Sequence, residues 1–231
     1  MIPLWDDAPS LTKPFFTWVL IVVNVGIFLY QFSLGFVTSG AQEAFIASYA
    51  VVPSRVAGAI TGSEPLAAGL IPVFTSMFLH GGWMHLIGNM WFLRIFGDNV
   101  EDELGHFSFL LFFVGCGVIA AVAQLLADPG SGVPIVGASG AIAGVMGAYL
   151  IRFPRARVTV LLPLLIIWTK IRLPAFLMLT YWLVIQVLSG TDGAAADGVA
   201  WWAHIGGFVA GAGLILTRPR RRQWHRTWRA G

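Results

Sequence analysis

The stretch Gly137-Ala138-Ser139-Gly140-Ala141-Ile142-Ala143-Gly144 places one hydroxyl group in a run of small and apolar residues. Gly140, Gly144 and Ala148 recur at every fourth position, which puts them on one face of a helix. Such small-residue stripes let two helices approach each other closely inside a lipid bilayer. The stretch therefore predicts a membrane helix that packs tightly against a partner helix, with Ser139 at its start.

The composition of the whole chain agrees with a membrane location. Of the 231 residues, 57% are apolar and 11% are charged, whereas a soluble domain carries about 25% charged residues. Several uncharged runs reach the roughly 20 residues that a helix needs to cross a bilayer. We therefore predict a polytopic membrane protein, and we interpret its first apolar run as a retained signal anchor. The single cysteine, Cys116, excludes an internal disulfide.

We predict an all-α fold of six transmembrane helices in a single membrane domain. A short cytoplasmic lead is predicted over 1–14, the six-helix domain over 15–217, and a basic cytoplasmic tail over 218–231. The six spans are predicted at 15–36, from about 77–83 to 96, 107–127, 133–151, 173–188 and 201–217. A loop over 37–70 is predicted to lie at the membrane interface, and a connector over 156–172 to be interfacial or re-entrant.

The distribution of basic residues predicts the orientation in the membrane. With six spans, thirteen of the fourteen Lys and Arg residues fall on one side, and Arg55 falls on the other. By the positive-inside rule, both termini are then cytoplasmic. Asp192 and Asp197 fall in an external loop. Because the basic tail follows a span directly, it favours contact with the lipid bilayer or a topology signal, and nucleic acid is not an expected partner.

Three polar side chains share one predicted depth in the membrane. His85, Ser139 and His204 each lie thirteen residues before the cytoplasmic end of their span, which is about 20 Å along a helix axis. In a hydrocarbon core about 30 Å thick, they lie about 10 Å below the outer surface. Asn89 lies one turn below His85 on the same helix face.

The sixth predicted helix carries a second small-residue stripe at Ala203, Gly207 and Gly211. If this stripe faces the first one, the hydroxyl of Ser139 and the imidazole of His204 meet near the outer ends of their helices. The imidazole can then take the serine proton and make the oxygen a nucleophile. No carboxylate lies deep in any predicted span, so the arrangement is a dyad.

The same arrangement offers donors for a developing negative charge. Ser139 lies near a helix N-terminus, where backbone N–H groups are free, and the side chains of Asn89 and His85 can add further donors. No cofactor is predicted. A metal site made of His80, His85 and His204 is a weaker alternative, because no His-Glu-x-x-His motif and no intramembrane carboxylate accompany them.

Each of these polar residues also has a structural explanation. A serine in a Gly/Ala stripe is, taken alone, more often a packing residue. His204 follows two tryptophans and could belong to an interfacial belt, while Asn89 and Gln186 could form helix–helix hydrogen bonds. His80, in a Gly-Gly-Trp loop, is more often structural. The shared depth of the three groups favours the serine nucleophile over these explanations.

Together, the motifs resemble the signatures of the rhomboid intramembrane serine proteases. The matching segments are His85-x-x-x-Asn89, Gly137-Ala138-Ser139-Gly140 and Ala203-His204-x-x-Gly207-x-x-x-Gly211. The turn Gly97-Asp98-Asn99-Val100-Glu101, with Leu104-Gly105, is similar to the one after the second span of the family. The resemblance covers about residues 71–217 in the order of the family.

The resemblance implies an intramembrane endopeptidase in which Ser139 is the nucleophile and His204 is the base. Asn89, His85 and the backbone N–H of Ser139 would stabilise the oxyanion, and the fifth span would act as a lateral gate. The substrates would be single- or multi-span membrane proteins, cut near the outer end of a transmembrane segment. The compact six-span form suggests a bacterial cytoplasmic membrane.

The chain departs from the family pattern at two places. Ala143 stands where some members have an aromatic residue that stacks on the histidine, so His204 needs another orienting group. The Trp-Arg pair that some bacterial members carry in the long external loop is absent from 37–75.

Two other functions are compatible with a polytopic membrane protein of this kind. A non-catalytic membrane-helix-binding protein of the same fold would not need to keep the dyad. A small transporter would use the polar cluster as a path, but the sequence shows neither an inverted repeat nor a carboxylate for proton coupling.

Overall fold

The computed structural model describes residues 1–164, 167–191 and 199–220, and these form nine α-helices and one three-stranded sheet. The helices are α1 (Phe15–Leu34), α2 (Ala41–Tyr49), α3 (Pro53–Thr61), α4 (Leu66–Thr75), α5 (Trp83–Leu104), α6 (His106–Ala127), α7 (Ser139–Arg152), α8 (Ala175–Thr191) and α9 (Trp201–Leu216). The strands are β1 (Ile2–Asp6), β2 (Arg157–Leu164) and β3 (Ile167–Pro174). A 3-10 turn follows α4 at Ser76–Phe78.

Two helices, α1 and α6, are long and apolar enough to cross a membrane by themselves. The segment Leu66–Phe78 and helix α5 reach the same length and hydropathy together, with a bend of 75° between them. Helices α8 and α9 are apolar but have 17 and 16 residues, which is about 25 Å of helix against a hydrocarbon core of about 30 Å. The count of six spans and the cytoplasmic placement of both termini therefore stay predictions.

Helix α7 lies at the centre of the protein. Every residue from Gly140 to Tyr149 is buried, and α6 and α9 pack along it. The helix begins at Ser139 rather than at Val133, where the fourth span was predicted to start. Gly137 has a φ of +116°, and Ile135 pairs with Val51 in an isolated bridge, so the chain before Ser139 is not helical.

The all-α prediction is wrong for the lead and for the connector, because both contribute strands. In the sheet order β1-β2-β3, β1 pairs antiparallel with β2, and β2 pairs antiparallel with β3. Val158 and Val160 of β2 are fully buried and join the helical core. Since β2 follows the C-terminal end of α7, the sheet lies at the end of this helix that is remote from Ser139.

Most of the segment predicted as an interfacial loop over 37–70 is helical. It contains α2, α3 and the start of α4. The predicted external loop with Asp192 and Asp197 lies outside the described residues, as does the basic tail from 221 onwards.

Candidate active site

Ser139 and His204 meet at the start of two helices. Ser139 is the first residue of α7, and His204 lies in the first turn of α9. His204 Nε2 is 2.8 Å from Ser139 Oγ, which is hydrogen-bonding distance. Both side chains are half-buried and line a cavity of about 780 Å³.

Glycines bring these two helices together. A Cβ atom built on Gly207 would lie 2.9 Å from the carbonyl carbon of Gly140, and closer still to its oxygen. A Cβ atom on Gly211 would lie 2.6 Å from the Cα atom of Gly144. Both distances are below the 3.4 Å of ordinary van der Waals contact. The two small-residue stripes therefore face each other, and the close approach requires glycine at these positions.

Gln186 on α8 binds the other nitrogen of the histidine ring. His204 Nδ1 is 2.7 Å from the side-chain oxygen of Gln186. The amide nitrogen of Gln186 donates to the carbonyl of Trp182, at 3.3 Å. Because an amide oxygen only accepts, Nδ1 of His204 carries the hydrogen, and Nε2 presents its lone pair to Ser139.

Two aromatic rings also flank the histidine. The ring centroids of Trp182 and Trp201 lie 5.9 and 6.1 Å from that of His204. Residue 143 is alanine and cannot stack on the imidazole, so these two rings and Gln186 surround it instead. The sequence indicated a helix–helix hydrogen bond for Gln186 but did not identify its partner. Nothing in the sequence marked Trp182 as a residue of the site.

Asn89 and His85 lie on α5 beside the segment that precedes Ser139. A Cβ atom on Gly137 would lie 2.6 Å from His85 Nε2 and 3.4 Å from Asn89 Nδ2. Asn89 is buried, and its amide nitrogen has no hydrogen-bond partner within the described ranges. The Gly81 N–H donates to His85 Nδ1 at 3.4 Å, so Nε2 is the N–H donor of a neutral ring. Both side chains line the same cavity as the serine.

His80 is not among the residues that line this cavity. It is fully buried, and its backbone N–H and carbonyl both bond to the side chain of Gln31. Its ring meets that of His85 edge-on, at 5.2 Å between centroids. In the part of the chain that the structure describes, no group of three or more His, Cys, Asp or Glu side chains is placed to hold a metal ion.

The cavity continues below the serine between α5, α7 and α8. Its lower walls are apolar and include Phe92, Ile142, Met146 and Trp182. Met146 lies two helical turns below Ser139, which is about 10 Å. The polar groups are thus concentrated at one level, above a slot that fits apolar side chains.

Comparison with known proteins identifies a family model, the Rhomboid domain, that matches residues 67–221. Similar proteins include Rhomboid-like protein 11, chloroplastic, of Arabidopsis thaliana, 33% identical over 152 residues (61% of this chain, 50% of the relative). RHOMBOID-like protein 6, mitochondrial, of the same plant is 31% identical over 159 residues (66% and 45%). Rhomboid-like protease 5 of Toxoplasma gondii is 30% identical over 147 residues (60% and 15%). The matches span half or less of the length of these relatives.

Proposed function

Because this chain belongs to the rhomboid family, we propose that it is an intramembrane serine endopeptidase that uses a dyad of Ser139 and His204. Rhomboid proteins are integral membrane proteins that act on membrane-protein substrates in the bilayer. The observation that carries the proposal is the 2.8 Å contact between Ser139 Oγ and His204 Nε2 at the wall of a large cavity. The position of the hydrogen on Nδ1 of His204 also supports the proposal, because an unprotonated Nε2 can act as a base.

The first half of the reaction cleaves the peptide bond. Ser139 Oγ attacks the carbonyl carbon of the scissile bond while His204 Nε2 takes the hydroxyl proton. The carbonyl oxygen becomes an oxyanion and accepts hydrogen bonds from the backbone N–H of Ser139, Asn89 Nδ2 and His85 Nε2. The C–N bond then breaks, and His204 gives the proton to the leaving amine.

The second half regenerates the enzyme. The acyl group remains on Ser139 as an ester, and a water molecule gives a proton to His204 as it attacks the ester carbonyl. The C–O bond to Ser139 breaks, the serine oxygen regains a proton from His204, and the product leaves as a carboxylic acid that then gives its proton to water. Among the described residues, the buried amide nitrogen of Asn89 has no hydrogen-bond partner. This supports the scheme, because a buried donor left unpaired is costly unless a ligand uses it.

The substrates are single- or multi-span membrane proteins, and a segment of the substrate enters between α5 and α8. The cavity is lined by both of these helices, and its apolar lower part accommodates side chains next to the scissile bond. Since Ser139 lies at the start of a central helix, the cut falls near one end of the substrate segment. With both termini cytoplasmic, this is the outer end, and we place the protein in a bacterial cytoplasmic membrane.

The direct test is cleavage of a panel of single-span substrates by the reconstituted protein and its Ser139→Ala variant. The variant is expected to fold and to lose cleavage, while Ser48→Ala, at an exposed site on α2, should cleave as the wild type does. Cleavage by Ser139→Ala at the wild-type rate would refute the proposal. Binding of the segments without cleavage by the wild type would instead favour a non-catalytic membrane-helix-binding protein.

A further inference from the structure

Gln186 is a buried amide on α8 that bonds to the histidine of the proposed dyad. Its side-chain oxygen lies 2.7 Å from His204 Nδ1, on the opposite side of the ring from Ser139. Its amide nitrogen is bonded to the Trp182 carbonyl one turn earlier on the same helix. This second bond fixes which end of the amide faces the imidazole.

We propose, on the basis of the proposed protease activity, that Gln186 is the positioning residue that keeps His204 in its base-competent tautomer. Without an acceptor at Nδ1, the hydrogen of a neutral imidazole is free to reside on Nε2, and that form cannot accept the serine proton. A neutral amide thus occupies the place that a carboxylate takes in a catalytic triad. Because Gln186 is on α8, while Ser139 is on α7 and His204 on α9, the dyad is ready only when α8 packs against α9.

The test compares Gln186→Met, which keeps length and loses the acceptor, with Gln186→Glu, which keeps an acceptor at the same place. Ile185→Met, at an exposed position of the same helix, is the matched control. Gln186→Met is expected to lower kcat by about 100-fold with little change in KM, and Gln186→Glu and Ile185→Met should keep much more of the activity. The 15N NMR signals of His204 should show hydrogen on Nδ1 in the wild type and a mixture of tautomers in Gln186→Met.

Labelling of Ser139 by a small fluorophosphonate distinguishes a role of Gln186 in positioning His204 from a role in the entry of a large substrate segment. If Gln186 orients the base, Gln186→Met slows labelling of Ser139 as well as cleavage. If only cleavage slows, Gln186 acts in entry of the substrate and the proposal is wrong. Wild-type kcat in Gln186→Met would also overturn it, and activity that persists in Ser139→Ala would instead overturn the protease assignment itself.

The outward face of the three-stranded sheet supports an independent inference. Alternate residues of β3 are exposed and project from one face, and the strand register puts exposed residues of β1 and β2 on that face too. The exposed residues of this face, called the cationic face below, are Ile2, Trp5, Arg157, Trp168, Lys170 and Arg172. The Lys170 ammonium lies over the Trp5 ring, at 5.3 Å from its centroid.

The sheet lies against the ends of the apolar helices. Strand β3 ends at Pro174, directly before α8, and the indole of Trp91 on α5 donates to the Pro3 carbonyl at 2.5 Å. In the described part of the sheet, the outer edge of β3 has no strand partner. Because unpaired backbone groups are not tolerated in hydrocarbon, the sheet belongs at the depth of the lipid headgroups.

We infer that the cationic face binds the headgroups of anionic phospholipids. Tryptophans favour the membrane interface, and lysines and arginines there are attracted to anionic lipids. Three cations stand on this face, and they outnumber the neighbouring carboxylate of Asp7, which accepts a hydrogen bond from the Arg157 backbone N–H and keeps its negative charge. The face therefore stays positive and complements a phosphate-rich surface.

Native mass spectrometry of the detergent-solubilised protein with added phosphatidylglycerol or phosphatidylcholine tests this inference. The wild type should retain phosphatidylglycerol in preference, and Lys170→Gln/Arg172→Gln should bind it about 30-fold more weakly, at about 1 kcal/mol for each cation. Lys13→Gln, an exposed lysine outside the sheet, is the matched control and should bind as the wild type does. Equal retention of the two lipids, or an unchanged affinity in the double variant, would overturn the inference.

Discussion

Replacing Gly207 by alanine tests whether close helix packing builds the dyad. The added Cβ atom would lie 2.9 Å from the Gly140 carbonyl carbon and closer to its oxygen, against 3.4 Å for ordinary contact. Because these neighbours are backbone atoms, no side-chain rotation relieves the overlap. Helices α7 and α9 must therefore separate by about 0.5 Å or more near this point, if packing is to return to ordinary distances.

The separation acts directly on the two groups of the proposed dyad. Gly207 lies one turn from His204, and Gly140 is next to Ser139, so a shift there lengthens the 2.8 Å contact between Oγ and Nε2. Misplacement of catalytic groups by about 1 Å costs about 100-fold in rate. We therefore expect Gly207→Ala to lower kcat/KM by about 10- to 100-fold and to lower stability by about 1–3 kcal/mol.

The assay is cleavage of a fluorogenic transmembrane substrate in proteoliposomes, normalised to the folded fraction from size-exclusion chromatography and circular dichroism. Gly213→Ala is the matched control on the same helix, because a Cβ atom there meets nothing within 4 Å. It should leave kcat/KM unchanged. If Gly207→Ala cleaves as fast as Gly213→Ala, the packing argument is refuted.

Three further predictions concern other parts of the molecule. Asn89→Ala should lower kcat by about 100-fold with little change in KM, since it removes one of the proposed oxyanion donors; steady-state kinetics check this. Burial raises the pKa of Asp6 from 3.8 to about 7, and its carboxyl bonds to Tyr149. The folded protein thus holds this proton more tightly than the unfolded chain does, so stability should fall as pH rises from about 4 to about 7. Unfolding temperatures across this range should vary less in Asp6→Asn. The buried carboxylate of Glu101 accepts hydrogen bonds from the backbone N–H groups of Phe16 and Thr17 at the start of α1. Glu101→Ala should therefore lower the free energy of unfolding by about 3 kcal/mol, as measured by denaturant unfolding.

The meeting of Ser139 and His204 could be predicted because it depends on properties local to two helices. Four-residue glycine spacing marks the faces that can touch, and counting residues from the span ends gives the depth of each polar group. Neither the glycine spacing nor the relative depth of the polar groups depends strongly on errors of a few residues at the helix boundaries. The start of α7 at Ser139 rather than Val133 changed neither argument.

The sheet could not be predicted in the same way, because its strands pair over a long sequence separation. Ile2 faces Leu161, and a short apolar run containing Pro163 does not reveal a partner at the other end of the chain. The hydrogen bond between Gln186 and His204 could not be predicted from the sequence, for a related reason. The sequence of α8 alone does not determine which residues of α9 lie opposite it. The amide of Gln186 therefore indicates a hydrogen bond to another helix, but its partner cannot be identified from the sequence.

In the proposed reaction, His204 activates Ser139 for nucleophilic attack. The most direct measurement is mass-spectrometric mapping of a fluorophosphonate adduct on the wild type and on His204→Ala. If His204 is the base, the adduct forms on Ser139 in the wild type, and at most a trace of it forms in His204→Ala, where the serine is present but has no base. An equal yield of adduct in both proteins would show that His204 does not activate Ser139, and an adduct on another residue would show that Ser139 is not the nucleophile.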